Sequence, residues 1–587
     1  MATTPYIQVI VPLRLEWEPF YCLEGAAVGE RVKVRFANRE YVGVVSEVNV
    51  VPETVPEHIQ PAFKTDLPPV HPREIVFWRA IAGYYLCSVG EVYKAAYPVL
   101  RQESDAVKVR ADERFQKRLA LLREKLTKAR KEQTRERYAG EIGRLEAFLR
   151  GEDPVLMMAG IPLSPAQETA VEAVRKGFSA GKTVLLRNPG GSGKMEIYLE
   201  MARQTLAQGK SVLYLVPEIG LSRQLEERIA QFFPGVLVYH SARSAAQKRA
   251  VADAIRDGRP KLVLGTRSAL FLPHRNLGLV MLDQEHETSY KQDSPAPRYH
   301  ARESAILLAG IHRANVLLGS ATPSLESLYN AETGRFAKVE LKEDVSTGIP
   351  GIQLIDIMAE ARKKGMVGNL SLKLLEQLHR ALDAGEKVLV VCRSKAAVPE
   401  CSEELEAIFG PGLQGMVLAT PATAKEQPAG AFGVTAVLQA DCLLAREDFR
   451  CDERAHQILS LLQEKCLPQG VLVIQTREAS HPVFGPYGPD RVRQLLEERR
   501  QFGYPPYTRL IHIVVRDQNL KRGAFMLREL AAALAPFSPL PGMGMLRVTL
   551  PRDKTLLERK QALQVCVAHF EKERRYPGHI CLDVDPV

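Results

Sequence analysis

The sequence predicts a multidomain α/β protein, on three observations. The chain has 587 residues, which exceeds the ~250–300 residues that a single hydrophobic core supports. Between residues 161 and 345, continuous apolar runs alternate with helical stretches, a pattern typical of a parallel sheet buried on both faces. The same pattern recurs between residues 346 and 485. We therefore expect separate units over residues 1–105, 106–160, 161–345, 346–485 and 486–587.

The first two units differ in composition. Residues 1–105 contain short runs of alternating apolar and polar residues, such as 31–36 and 41–48, broken by Gly and Pro, which predicts a β-rich domain. In residues 111–150 nearly half of the side chains are charged, and apolar residues recur at helical spacing. This predicts a long charged helix or a hairpin, within a helical or winged-helix-like linker over residues 106–160.

The other three units combine strands and helices. The predicted strands of the third unit are 183–186, 212–216, 262–264, 279–282 and 316–318. The fourth unit has candidate strands at 388–391 and 471–474. In the fifth, helical stretches at 527–534 and 556–574 mix with strand-like segments at 511–515 and 579–584, as in a compact α+β domain.

The composition is that of a globular protein with a polyanionic partner. Hydrophobic residues make up 45% and charged residues 25% of the chain, and no apolar run approaches the ~20 residues of a membrane span. Because residues 1–5 also lack a secretory pattern, we expect a cytoplasmic protein without membrane contact. The formal net charge of +10 favours a nucleic-acid partner, since basic surface releases counterions from its backbone. The nine cysteines form no C-x-x-C pair, so zinc is not expected.

The segment 188–195, Asn-Pro-Gly-Gly-Ser-Gly-Lys-Met, has the context of a phosphate-binding loop, between a hydrophobic strand and a helical stretch. In such a loop, small residues let backbone N–H groups surround phosphates, and Lys194 would contact the β- and γ-phosphates. Met195 stands where a Ser or Thr hydroxyl normally binds Mg²⁺, and a thioether is a poor ligand for that hard cation. The predicted ATP-binding residues of the loop are Gly190, Gly191, Ser192, Gly193, Lys194 and, with its hydroxyl lost, Met195.

The strand 279–282 ends in Asp283, followed by Gln284 and Glu285. An Asp at the carboxyl end of a buried strand beside a P-loop is the Walker B position, so Asp283 is the candidate Mg²⁺ contact. Gln284 occupies the position of the catalytic base; an amide cannot take a proton, and loss of a general base costs on the order of 10²–10⁴ in rate. Glu285 should point away from the phosphates, because side chains alternate along an extended segment.

Further segments identify a family. Residues 163–167, 216–224, 265–271 and 319–327 occur in the order and spacing of the first RecA-like lobe of a superfamily 2 helicase. With Ser-Tyr-Lys-Gln at 289–292 and Arg-Tyr-His-Ala-Arg at 298–302, the chain resembles the family of the replication restart helicase PriA, also called primosomal protein N′. The resemblance implies tandem RecA-like helicase lobes, a β-rich N-terminal domain that binds the 3′ end of DNA, and an α+β C-terminal domain.

The resemblance also implies roles for individual residues. Gln167 would read the adenine edge of ATP. Trp17 and Glu18 would form the 3′-end pocket, with a ring on which a base stacks and a carboxylate that accepts the 3′-hydroxyl; the other interpretation of Trp17 is a core residue. An aromatic-rich loop would couple DNA contact to the ATP site, and the expected DNA-binding residues in and near it are Arg267, Tyr290, Lys291, Arg298, Tyr299 and His300.

The second lobe departs from the family pattern and is expected to be reduced. No arginine remains in residues 460–465, where the family has an arginine finger worth roughly 10³–10⁵ in phosphoryl transfer. The glycines of the preceding motif are absent from residues 419–425, and the family's module of eight zinc-binding cysteines is missing after residue 399.

Three hypotheses follow. The first is a monomeric PriA-like replication restart protein that binds forked DNA and primosome or single-strand-binding proteins. It could take ATP and magnesium as cofactors, yet hydrolysis and unwinding would be impaired. The second is an active ATP-dependent 3′-to-5′ DNA helicase, with Glu285 or another residue as base, so whether the chain is an enzyme stays open. The third is a DNA-independent scaffold protein.

Overall fold

The computed structural model describes residues 6–51, 59–97, 111–129, 132–149, 160–188, 193–220, 222–233, 235–341, 350–445, 448–574 and 579–587. It confirms the multidomain α/β fold, with one sheet in the N-terminal domain, one central sheet in each RecA-like lobe and one sheet in the C-terminal domain. Within these residues, no helix combines the length and apolar character needed to cross a bilayer.

The N-terminal domain is an antiparallel sheet followed by two helices. The strands pair in the order β2-β1-β4-β3-β5 and enclose a small core that includes Val9, Val32 and Val45. A capping box begins each helix, through His71 and Ser88, which satisfies otherwise unpaired N–H groups. The elements are β1 (Tyr6–Ile10), β2 (Phe20–Cys22), β3 (Arg31–Phe36), β4 (Arg39–Val50), β5 (Phe63–Lys64), α1 (Pro72–Tyr85) and α2 (Val89–Ala96).

The described part of the charged segment is a helical hairpin. It consists of α3 (Ala111–Lys128) and α4 (Glu132–Leu149), which pack together through Leu119, Leu122 and Ile142. This packing agrees with the helical spacing of the apolar residues.

The first lobe, which we call lobe 1, has a parallel sheet in the order β12-β6-β11-β10-β7-β9-β8 with helices on both faces. Asp283 at the end of β10 pairs with Gly319 at the end of β11. The strands are β6 (Thr183–Arg187), β7 (Ser211–Leu215), β8 (Leu237–Tyr239), β9 (Leu262–Gly265), β10 (Leu277–Asp283), β11 (Asn315–Ser320) and β12 (Phe336–Glu340). The helices are α5 (Pro165–Ser179), α6 (Lys194–Ala207), α7 (Arg223–Phe232), α8 (Ala245–Arg256), α9 (Ala301–His312) and α10 (Leu325–Glu332).

The second lobe, lobe 2, repeats this architecture with fewer strands. Its main sheet is parallel, in the order β13-β19-β18-β16-β17. Its strands are β13 (Gly351–Asp356), β14 (Met366–Val367), β15 (Leu370–Ser371), β16 (Val388–Val391), β17 (Met416–Ala419), β18 (Phe432–Val437) and β19 (Cys466–Thr476). Its helices are α11 (Ile357–Arg362), α12 (Leu372–Asp383), α13 (Val398–Phe409), α14 (Pro421–Ala424) and α15 (Cys451–Lys465).

The C-terminal domain is α+β, with an antiparallel sheet in the order β21-β22-β20-β23. One cluster of buried apolar side chains, including Trp78, Leu282 and Ile513, joins this domain to α1 and lobe 1, whereas lobe 2 has two clusters of its own. Lobe 2 is therefore the separately packed part. The C-terminal elements are α16 (Pro489–Gln501), β20 (Thr508–Arg516), α17 (Leu520–Ala533), β21 (Leu540–Gly542), β22 (Met545–Pro551), α18 (Leu556–Arg574) and β23 (His579–Val584).

Candidate nucleotide site and nucleic-acid interface

The start of α6 has the features of a phosphate site. Gly193 adopts φ +83°, a conformation that favours glycine, and no side chain caps the helix there. Lys194 is only 8% exposed, and its ammonium has no hydrogen bond to another described residue. A lysine beside the uncapped N–H groups of a helix start is suited to an anion, so these residues fit a phosphate. The predicted loop residues Gly190, Gly191 and Ser192 lie outside the described part of the chain.

Gln167 connects two helix starts. Its Oε1 accepts from the backbone N–H of Ser164 (2.8 Å), which completes the capping box of α5. Its Nε2 donates to the carbonyl of Gly193 (3.0 Å). Both ends of the amide have protein partners in this structure, and its contact with adenine stays a prediction.

Met195 and Asp283 stand at the predicted magnesium position. Met195 packs against the apolar core of lobe 1. Asp283 Oδ1 accepts hydrogen bonds from the hydroxyl of Tyr198 and from the N–H of Gln284, both at 3.0 Å. Burial raises the pKa of Tyr198 well above its usual value, so the hydroxyl remains a donor. Gly319 makes room for it, because a Cβ there would lie 1.6 Å from the Tyr198 oxygen.

The carboxylates that follow Asp283 already have partners. Glu285 is fully buried; it accepts from Arg302 Nη1 (2.7 Å), from the N–H of Ser324 (2.6 Å) and from the hydroxyl of Ser327 (2.9 Å). Glu287 accepts from Lys425 of lobe 2 at 2.7 and 3.0 Å. Both carboxylates are thus occupied by contacts within the protein.

His286 connects the Walker B segment to the next strand. Its Nδ1 lies 2.7 Å from Ser320 Oγ at the end of β11. Burial lowers the pKa of His286, so the ring is neutral at pH 7. The contact ties the position of the Asp283 segment to β11.

The aromatic-rich loop is bound within the protein. The Tyr290 hydroxyl lies 2.7 Å from the carbonyl oxygen of Asp283 and 3.1 Å from that of Leu215. Lys291 is buried and donates to the carbonyls of Arg298 (2.8 Å) and Val584 (2.6 Å). Direct DNA contact by Tyr290 or Lys291 would require these bonds to be exchanged, and it stays a prediction.

Three further loop-associated residues also have protein contacts. Arg267 donates to the carbonyls of Ser289 (2.8 Å) and Lys291. Tyr299 is buried, with its ring 5.0 Å from that of Phe271. His300 caps α9 and lies 3.1 Å from a carboxylate oxygen of Glu303. The DNA contacts predicted for Arg267, Tyr299 and His300 therefore also stay predictions.

Sequence reasoning missed the anchor of this loop. Lys291 forms an ion pair with Asp583 of β23 at 2.8 Å. Tyr85 of α1 both accepts from the N–H of His300 (2.9 Å) and lies 3.3 Å from its carbonyl. The loop thus joins the N-terminal domain, the C-terminal domain and the Asp283 segment. The acidic segment Leu-Asp-Val-Asp-Pro at 582–586 was the available signal.

The two residues of the predicted 3′-end pocket lie at the surface of the N-terminal domain. Trp17 is 57% exposed and is therefore not a core residue; its ring lies 6.2 Å from that of Phe36. Glu18 accepts from Ser46 Oγ and from Arg79 Nη2, the latter at 3.1 and 3.2 Å. An exposed ring beside a fixed carboxylate is suited to a terminal nucleoside.

A cavity of about 500 Å³ lies between the lobes. It extends from His286 to lobe 2, where Arg393, Lys395, Lys425 and Arg454 line it. Arg393 follows the buried strand β16, and that strand-end position could have identified it. In residues 460–465, where the arginine finger of the family is predicted to be absent, Gln463 donates to the carbonyl of Pro350 (2.8 Å) and Lys465 to that of Gln427 (2.5 Å).

A buried ion-pair cluster also connects the lobes. Glu326 of lobe 1 pairs with Arg450 (3.0 Å) and Arg499 (3.3 Å), and Arg499 also pairs with Glu453 of lobe 2. Burial alone would raise the pKa of Glu326, but Arg450 and Arg499 outweigh it and lower that pKa to about 2. The cluster therefore holds a charged carboxylate in the interior.

Two family models match the chain. That of the DEAD/DEAH box helicase matches residues 164–331, and that of the 3′DNA-binding domain (3′BD) matches residues 8–98. The replication restart protein PriA of Bacillus subtilis (strain 168) is 29% identical over 468 residues, covering 63% of this chain and 58% of that protein. PriA of Synechocystis sp. is 30% identical over 534 residues, covering 72% and 64%.

The fold and these matches define the class: the chain has a superfamily 2 helicase fold with a 3′BD-type domain before it. The chain is a PriA-like protein. It spans 58% and 64% of the length of these two relatives. The solved structure of RecG bound to a three-way DNA junction aligns at 16% identity with a TM-score of 0.37, over 67% of this chain and 50% of that chain, a similarity too low to support an argument about function.

Proposed function

We propose that this chain is a replication restart protein that binds forked DNA through the 3′ end of a strand and turns over ATP poorly. The observation that carries the second half is that the two carboxylates that follow Gln284 already have protein partners. Asp283 accepts from Tyr198, Glu285 from Arg302 and the two serines, and Glu287 from Lys425. Neither Glu285 nor Glu287 would then serve as the general base, a role that the Gln284 amide cannot take.

A DEAD/DEAH box helicase domain in general uses nucleotide and magnesium, and the residues at the start of α6 fit a phosphate. Lys194 and the loop amides would hold the phosphates of ATP, and Asp283 would provide the protein contact to Mg²⁺. The bound metal supplies electrostatic stabilisation of transferring phosphoryl oxygens. Asp283 would be the protein contact to the metal, because Met195 has a thioether, a poor ligand for Mg²⁺, where a hydroxyl would stand.

The proposed DNA binding rests on the N-terminal domain and on the aromatic-rich loop. The exposed Trp17 offers a stacking surface, and the fixed Glu18 carboxylate could accept a 3′-hydroxyl. Because Tyr290 lies against Asp283 while Tyr85 holds His300, occupancy of the 3′-end pocket could be communicated to the nucleotide site.

We further propose that the protein acts as a monomer in the cytoplasm and recruits primosome or single-strand-binding proteins without unwinding DNA. One observation favours an active 3′-to-5′ helicase instead: Arg393 and Lys395 line the interlobe cavity opposite His286. Either cation could take the place of the arginine finger. The rate of ATP hydrolysis therefore distinguishes the two functions.

Trp17→Ala is expected to weaken binding to a fork with a recessed 3′-hydroxyl by roughly 1–3 kcal/mol, the usual worth of one stacked base. Fluorescence anisotropy with a labelled fork measures the loss. Phe63→Ala is the matched control, because Phe63 is also exposed but pairs with Lys33 on β3, on the opposite face from Phe36. Equal affinities of the two variants would contradict the stacking role.

A further inference from the structure

A second cavity, of about 390 Å³, lies beside the predicted 3′-end pocket. The N-terminal domain, the tip of the aromatic-rich loop and the C-terminal domain all contribute to its wall. Trp17 and Glu18 line one side of it. The basic groups that line it are Arg14, Arg298, Arg516 and His579.

Arg298 is the unusual member of this wall. Its residue is only 7% exposed, yet its guanidinium has no hydrogen bond or ion pair with any other residue that the structure describes. A guanidinium is always charged in proteins, and that of Arg298 lines the cavity. Because no described residue pairs with it, the side chain is free to bind an anion that enters the cavity.

The carboxylates of the cavity wall do not pair with Arg298. Glu571 pairs with Arg14 at 2.9 Å, and Glu18 pairs with Arg79 at 3.1 Å. Glu91 caps α2 by accepting from the N–H of Ser88 at 2.9 Å. Glu16, the remaining carboxylate, is exposed.

Arg516 adds a second available cation. It is the last residue of β20, it is exposed, and it has no ion pair with another described residue. An anion in this cavity could thus bridge a loop arginine and an arginine of the C-terminal domain. The planar guanidinium is well suited to phosphate oxygens.

We propose that this cavity binds a backbone phosphate of the DNA strand whose terminal base stacks on Trp17, and that Arg298 is its principal ligand. The phosphate is one of the last two before the 3′ end, since the cavity adjoins Trp17 and Glu18. This inference rests on the proposed 3′-end binding. It makes the 3′-end site composite, so that the N-terminal domain alone is an incomplete binding site.

The test compares the full-length chain with Arg298→Gln on forks in which one linkage near the 3′ end is a neutral methylphosphonate. The unmodified protein should lose roughly tenfold in affinity when one of the last two linkages is neutral. Arg298→Gln should show about the same loss on natural DNA, no further loss on the neutral fork, and a salt slope smaller by about 1. Arg500→Gln, which changes an exposed arginine of α16 outside the cavity, should match the unmodified protein.

Folding of the variant can be checked independently. Because the Arg298 guanidinium has no partner among the described residues, Arg298→Gln should melt no earlier than the unmodified protein. Equal affinity of Arg298→Gln and the unmodified protein on natural forks would overturn this inference alone. Indifference of the unmodified protein to a 3′-hydroxyl end would overturn the proposed function as well. A third outcome would also overturn the proposal. If inorganic phosphate stabilises the unmodified protein but not Arg298→Gln, and the two bind DNA equally well, the cavity binds free phosphate and not DNA.

Discussion

The double variant Met195→Thr, Gln284→Glu is expected to hydrolyse ATP no more than about tenfold faster than the unmodified protein, with or without forked DNA. Glutamate would restore a base and threonine a hydroxyl for Mg²⁺. The finger would still be absent from residues 460–465 of α15, and such a finger is worth roughly 10³–10⁵. Because catalytic groups that act as one unit fail as one unit, restoring two of them does not restore turnover.

Steady-state phosphate release measures this, with Met195→Thr, Gln284→Ala as the matched control that provides no base. A hundredfold gain in the glutamate variant alone would contradict the expectation. It would indicate that another cation replaces the finger, with Arg393 in the interlobe cavity as the first candidate. Adding Arg393→Ala to the double variant would then abolish the gain.

Arg499→Met is expected to destabilise the attachment of lobe 2 by roughly 3–5 kcal/mol, the cost of removing one partner from a buried ion pair. The Arg499 side chain is 3% exposed and pairs with Glu326 of lobe 1 and Glu453 of lobe 2. Burial raises the pKa of Glu453; without the guanidinium, this carboxylate would lose its nearest counter-charge.

Differential scanning calorimetry measures the effect as a lower temperature of the first unfolding transition. A separate first transition is expected because a chain of several domains need not unfold in one step. Arg500→Met is the matched control: it is the next residue of α16, its side chain is 68% exposed, and its change should stay within about 0.5 kcal/mol. Addition of Glu453→Gln to Arg499→Met should recover part of the loss. Indistinguishable melting of the two single variants would contradict a stabilising role for the cluster.

The architecture was predictable from sequence because its signals are local. The apolar run 279–282 and the polar turn after it identify β10 and Asp283 without knowledge of any neighbour. The surface position of Trp17, by contrast, required the structure, because the sequence allowed both a core residue and a stacking platform.

The surroundings of the loop were not predictable, because they depend on pairs of residues far apart in the chain. Lys291 is buried against Asp583 and Val584, contacts that the sequence does not reveal. Tyr198 reaches Asp283 only because residue 319 lacks a side chain. No periodicity or spacing encodes such contacts.

The most direct test of the central claim is ATP turnover by the unmodified protein at saturating forked DNA, measured alongside equilibrium binding of ATP and of the fork. We expect a salt-dependent complex with the fork and turnover below ~0.1 s⁻¹, at least a hundredfold under the ~10 s⁻¹ of a typical enzyme. Fork-stimulated turnover of ~10 s⁻¹ or more would contradict the account.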